Sequence, residues 1–326
     1  MRKNWLGRTG LEVSEIAFGA GVTGGILIKA DEPTRISALM RAVEAGINLI
    51  DTAPLYGGGA SEEAIGRHLA ALEPRPYVST KVLIMPDDLM DIRGAIERSL
   101  EQSLKRLRTD SVALFQLHNQ LGTAIGGRPQ LSVHQVLRTG GIADIFDSLK
   151  SQGLFTASGI TAAGESPACL EVIESGRFDC AQIYYNAINP SAAWSRAPKV
   201  WTMQDFSGVI RACFNQHMGI LNIRVWAGGP LASATRPEKL AVFASGTDVD
   251  NEMHCANLIR KMVGDSHGTA AQTALRFVLG NRDVTTRVIG ISELVQLEEA
   301  VAAVEKGPLP SQAISRLEGL WATNFK

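Results

Sequence analysis

Residues 18–25 read FGAGVTGG, and the reading of that stretch decides the fold. Gly19, Gly21 and Gly24 satisfy a G-x-G-x-x-G spacing, and the run EIAF (residues 15–18) in front of them suits a strand. The dinucleotide fingerprint of an open, doubly wound sheet also needs a helix opening at the third glycine, so that its first amides face a pyrophosphate. Here that glycine leads into GILIKADEP (residues 25–33), which is β-branched and then interrupted by Pro33. No helix is expected before about Pro33. The spacing fails its context, and the glycines need another explanation.

Outward from this stretch a rhythm sets in. WLGRTGLEVSEI (residues 5–16) reads as a hairpin turning at Arg8, Thr9 and Gly10. Short apolar runs follow at residues 47–50, 77–82, 112–117, 155–160, 180–185, 220–225 and 287–291, and with EIAF they make eight candidate strands. Most lack strict alternation, as expected where both faces of a parallel sheet are covered. Helical patterns fill the gaps. Leu89, Ile92, Ile96, Leu100, Leu104 and Leu107 recur at three- and four-residue steps, predicting a helix over 89–107. PTRISALMRAVEAG carries Pro33 in its first turn and stops at Gly46, and SPACLEVIESG offers Ser166 as a cap. This alternation predicts a (β/α)8 TIM barrel with an N-terminal β-hairpin, with an open doubly wound sheet as the alternative. Two longer irregular stretches, residues 186–204 and 232–251, read as loops on one rim.

Composition narrows the function. Of 326 residues 45% are hydrophobic, enough for a sizeable core, and the net charge of −1 gives no footprint for nucleic acid or an anionic membrane. The longest uncharged runs, such as residues 111–127, are too short and polar to cross a bilayer. MRKNWLGRTG has no apolar signal core. Cys169, Cys180, Cys213 and Cys255 show no C-x-x-C spacing and read as reduced packing residues, so a cytoplasmic location is expected. The histidines share no metal-ligand spacing, and no metal is expected.

In such barrels chemistry sits where strands end. The second strand ends INLIDTAPLYG, placing Asp51 at the rim and Tyr56 in the loop; the third ends VSTKV with Lys81; the fourth ends LFQLHNQ with His118. Hydride reduction of a carbonyl leaves negative charge on oxygen, which needs a proton and a fixed donor. Tyrosine can give that proton if a neighbouring ammonium favours phenolate, a carboxylate can hold the lysine, and a histidine N–H can orient the carbonyl.

These residues lie in segments that together resemble the aldo-keto reductase family: GLEVSEIAFG, AVEAGINLIDTAPLYGGGASEEAIGRHL, STKV, IERSLEQSLKRLRTDSVALFQLH, TAAQTALRFVL and GIS, from about residue 10 to 300. The resemblance implies one barrel domain over 1–326, binding an extended NAD or NADP without a Rossmann domain and acting on a small carbonyl or sugar substrate. It places a catalytic tetrad on Asp51, Tyr56, Lys81 and His118. It sets Gly21, Val22 and Thr23 beside the cofactor, where the glycines serve close backbone approach. Thr161 and Gln182 match the carboxamide-binding positions, with Ala162 where the family usually carries asparagine. Trp226 is the candidate for stacking on nicotinamide, ordinary rim packing being its other reading. Gly290, Ser292, Gln296 and Glu299 match the adenosine segment. That segment holds no basic residue, so NAD is expected to serve at least as well as NADP. Trp194 and Trp201 either wall a substrate pocket or pack their loop on the barrel. Two rivals stand beside this reading: a barrel aldolase with Lys81 as Schiff-base nucleophile, and a nucleotide-sensing regulatory subunit.

Overall fold

The computed structural model describes residues 1–122, 129–237, 244 and 248–326. Its centre is a closed barrel of eight parallel strands: β1 (Ile16–Gly19), β2 (Leu49–Asp51), β3 (Tyr77–Val82), β4 (Val112–Leu117), β5 (Phe155–Ala162), β6 (Cys180–Tyr184), β7 (Gly219–Ile223) and β8 (Thr286–Gly290). Each strand pairs with the next in sequence and β8 closes on β1 through Val288↔Ala17 and Ile289↔Phe18, which excludes the open sheet. β4 is buried along its whole length, because its outward side chains meet helices and its inward ones fill the barrel.

Helices wrap the sheet: α1 (Glu32–Glu44), α2 (Ala60–His68), α3 (Ile92–Leu107), α4 (Ile142–Ser151), α5 (Ser166–Glu174), α6 (Val209–Asn215), α7 (Val249–Val263), α8 (Ala270–Leu279), α9 (Leu294–Lys306) and α10 (Ser311–Ala322). Asp31 caps α1 by accepting from Thr34 N, with Pro33 in the first turn. Three local expectations are corrected. α3 starts at Ile92 because Asp91 accepts from Gly94 N as its cap, leaving Leu89 exposed in a 3-10 turn over Pro86–Met90. Ser166 is the first residue of α5, not its cap, and its hydroxyl donates to Asp205 O at 2.5 Å. A single helical turn, Ile26–Lys29, precedes Pro33. Ile26 and Leu27 are buried there, and burial overrides the weak helix preference of β-branched residues.

That turn is not a phosphate cradle of the Rossmann kind, since Ile26 N already donates to Ile291 O at 3.2 Å. The glycines before it allow close approach instead. A Cβ on Gly24 would lie 2.4 Å from Ile291 N, and one on Gly21 would touch the Tyr56 ring at 3.4 Å.

At the opposite end, Lys3–Trp5 pairs antiparallel with Glu12–Ser14 as the expected hairpin. Arg8 at its tip donates to the carbonyls of Gly176, Phe178 and Gln216, binding the hairpin to the chain just before β6 and β7. Leu6, Leu11 and Val13 then close the barrel floor against Leu49, Leu114 and Leu221. All four cysteines are free and buried. Among the described residues, no helix is long and apolar enough to cross a membrane.

Of the two irregular stretches, residues 238–243 and 245–247 of the second lie outside the described residues. In the first, Trp194 and Trp201 stack edge-on at 5.0 Å, and Trp194 also meets Trp321 of α10. They pack against each other and against α10, and neither lines the cavity described below.

Candidate active site

A cavity of about 430 Å³ opens at the C-terminal ends of the strands. Its floor is made by residues from neighbouring strands, because consecutive parallel strands in close register carry their last inward side chains to one level. Asp51 ends β2, Lys81 is the penultimate residue of β3, and His118 follows β4 directly.

The centre of the floor is Lys81, which is fully buried. Its Nζ lies 2.7 Å from Asp51 Oδ2, 2.8 Å from Thr52 O and 3.4 Å from Tyr56 Oη. Burial alone would push the lysine's pKa down; the Asp51 carboxylate and the Tyr56 oxygen outweigh it, and the net direction is up. The lysine is thus held as ammonium. Asp51 Oδ1 in turn accepts from Ser79 Oγ at 3.0 Å, Gln182 Nε2 at 2.7 Å and Gln116 Nε2 at 3.4 Å. A buried ion pair is stable only when its remaining lone pairs are satisfied, and this one is. The Tyr56 and His118 rings meet edge-on at 5.9 Å.

The other wall continues away from this cluster. Gly21, Val22 and Thr23 line it on the β1 side, Thr161 and Gln182 on β5 and β6, Gly290 at the end of β8, Ser292 in the following loop, and Gln296 and Glu299 in the first turns of α9. Thr161 is buried with a hydroxyl that has no hydrogen-bond partner, although it borders the cavity. Gln296 Oε1 accepts from Ser292 N at 2.8 Å, and the Glu299 carboxylate accepts from the Thr269 hydroxyl. Trp226 also borders the cavity, and its indole N–H donates to Ala271 O at 3.0 Å, which fixes the ring against the start of α8. The residues assigned to the tetrad and the cofactor therefore border one cavity except Lys81, which lies beneath it, whereas Trp194 and Trp201 do not line it.

Several neighbours were not foreseen. Ser79 and Gln116 stand two residues before Lys81 and His118, so the two-residue period of a strand puts them on the same inward face; that signal was present in the sequence. Ile223, two residues after Leu221 in β7, carries the same signal, whereas Arg224 just beyond the strand gave none. The chain there turns left-handed at Arg224 (φ 63°), Ala227 (φ 55°), Gly228 and Gly229, which defeats counting by strand period.

The Aldo/keto reductase family profile matches residues 15–322, and the chain belongs to that family. L-galactose dehydrogenase of Arabidopsis thaliana is 26% identical over 324 residues, covering 97% of this chain and 92% of the relative. 6-Dehydroglucose reductase of Novosphingobium aromaticivorans is 30% identical over 167 residues, 48% of this chain and 50% of the relative. Among solved structures, aldo-keto reductase AKR11C1 from Bacillus halodurans (holo form) shares the fold with a TM-score of 0.73, at 23% identity over 98% of this chain and 96% of that one. The chain is an NAD(P)-dependent oxidoreductase that works with a nicotinamide cofactor on small carbonyl substrates.

Proposed function

We propose that the enzyme interconverts a carbonyl and an alcohol, on a sugar or another small aldehyde, ketone or lactol, with Tyr56 as the group that gives or takes the proton. The observation that carries this reading is the single ammonium of Lys81 shared by Asp51, the Thr52 carbonyl and the Tyr56 oxygen under the cavity. The names of the L-galactose and 6-dehydroglucose relatives favour a sugar.

The residues fit a nicotinamide dinucleotide. Thr161 offers a buried hydroxyl with no protein partner, and Gln182, its amide N–H donating to Asp51, has its carbonyl oxygen to accept from a carboxamide N–H. Ser292, Gln296 and Glu299 would hold the far end. When bound, the nicotinamide supplies or accepts the hydride. Tyr56 then protonates the oxygen on which negative charge develops, and Lys81 stabilises the phenolate left behind. His118 orients the carbonyl through a ring N–H. Asp51, held by Ser79, Gln116 and Gln182, keeps Lys81 in place. For oxidation the same proton path runs backwards.

The single barrel domain is taken to work in the cytoplasm and to use NAD at least as readily as NADP. A Schiff-base role for Lys81 is disfavoured, because an amine nucleophile must be neutral and this ammonium is ion-paired. The test is a panel of sugars, aldehydes and alcohols followed by nicotinamide absorbance with both cofactors. Turnover on at least one sugar or aldehyde is expected. Nucleotide binding without turnover across the panel would instead support a sensing subunit.

A further inference from the structure

Tyr56 sits in an excursion of the chain between Thr52 and Ser61. Three consecutive glycines in it are left-handed, Gly57 (φ 65°), Gly58 (φ 61°) and Gly59 (φ 97°), and a Cβ on Gly58 would meet nothing within 4 Å. Ile28 lies close against Gly57 and Arg106 against Gly59, so the arc is held at its ends and open at Gly58, and the position of Tyr56 depends on how those ends are fixed. The ends are tied to each other. Thr52 Oγ1 and Ser61 Oγ lie 2.8 Å apart, and both residues are fully buried.

The direction of that bond follows from proton counting. Ser61 Oγ donates its one proton to Ala20 O at 3.0 Å, so it accepts from Thr52 Oγ1. Ser61 N also donates to Tyr56 O at 3.3 Å. One residue on, Glu62 is fully buried, accepting from Thr80 Oγ1 at 2.5 Å and from Arg106 Nε at 2.7 Å. The first turn of α2 therefore grips the chain at the ends of β1 and β2 and within β3, at Ala20, Thr52 and Thr80. Thr52 carries its carbonyl to Lys81, and Thr80 is the neighbour of Lys81 in β3.

We propose that Ser61 is a positioning residue that sets the separation between the Tyr56 oxygen and the Lys81 ammonium. This rests on Tyr56 being the proton-transfer group. At 3.4 Å the contact is at the outer limit of a hydrogen bond, so a small outward drift of the arc breaks it and weakens the stabilisation of phenolate.

The experiment compares Ser61→Ala, Thr52→Val, Ser61→Thr and Tyr56→Phe with the wild type. It measures kcat against pH in the alcohol-oxidising direction, NADH and NADPH dissociation constants by tryptophan fluorescence, and Tm. Ser61→Ala should lower kcat by about tenfold or more and move the pH limb of the proton acceptor upward, because the misplaced group loses both orientation and its cation. Nucleotide affinity should change less than kcat, and in Thr52→Val, which keeps the Ser61 bond to Ala20 between the cavity-lining Gly19 and Gly21, it should stay within about twofold of the wild type. Ser61→Thr, which keeps the hydroxyl, should return the pH limb toward its wild-type position. If Ser61→Ala does not fold, Thr52→Val, which keeps the shape and removes only the cross-loop bond, is read in its place. A pH limb that stays at the wild-type position in the folded variant overturns the proposal, whatever happens to Tm. Wild-type turnover in Tyr56→Phe would instead overturn the acid–base reading, so the two failures are distinct.

Discussion

Gln182 Nε2 donates to Asp51 Oδ1 at 2.7 Å, across 131 residues of sequence. The residue assigned to the cofactor carboxamide is thereby also a support of the buried ion pair. Changing Gln182 to Glu replaces a donor with a second carboxylate against Asp51. We expect a loss of about 2–3 kcal/mol in stability from the broken bond and like-charge contact. Nucleotide affinity should fall with it. Thermal melting together with fluorescence titration checks both, and an unchanged Tm would detach Gln182 from the pair.

Lys81→Met leaves Asp51 buried with three neutral donors and no counter-ion. Removing one partner of such a pair typically costs about 3–5 kcal/mol. Turnover should be abolished or its pH limb raised. The sign of the native contribution is also fixed: because the folded pKa of Lys81 is raised, the pair's stabilisation is complete below the unfolded lysine value near 10 and is lost only as pH climbs through the folded one. Urea midpoints at pH 7 and near pH 11 for wild type and variant are the measurement.

Cofactor choice turns on the far wall. Gln296 and Glu299 stand there, and no Arg or Lys occurs from Ile289 through Ala300. Arg287, the nearest cation in sequence, is buried with its guanidinium bonded to Val278 O and Asn281 O. Strong selection for a 2′-phosphate normally takes an Arg or Lys in direct contact. The kcat/KM for NAD should therefore equal or exceed that for NADP. A preference for NADP above about 100-fold, near 2.7 kcal/mol, would mean that another loop brings in a cation.

Glu252 in α7 also makes stability fall as pH rises, but at lower pH and through burial of a carboxyl group. Burial raises its pKa to about 7, with one oxygen accepting from Tyr184 Oη at 3.4 Å and the other without a partner. As pH rises from about 4.5 the unfolded chain gives up this proton before the folded one does, so stability falls through that window and levels off above about 7. The loss is on the order of 3 kcal/mol. Glu252→Gln should match the wild type near pH 4 and exceed it at pH 8 in denaturant midpoint. Equal midpoints at both pH values would remove Glu252 from the pH dependence.

The barrel was legible because apolar runs such as residues 77–82 and 112–117 coincide with β3 and β4 to the residue. Burial on both faces leaves a strand little other pattern to show. The convergence of Asp51, Lys81 and His118 at one end of the barrel was legible for a related reason: strand ends locate them without any knowledge of contacts. What escaped depended on tertiary context. Ile26–Lys29 became helical through burial, a capping aspartate cut short the stripe that began at Leu89, and the left-handed coil after β7 hid Arg224. The staple between Thr52 and Ser61 joins two hydroxyls nine residues apart, a distance at which no local periodicity operates.

The hairpin that seals the barrel floor also gives the molecule a front and a back. The amino terminus emerges on the sealed side, away from Tyr56 and His118. An affinity handle, a fusion partner or an electrode tether placed before Met1 would leave the cavity mouth facing solution, so the enzyme can be immobilised through that end with its substrate path open.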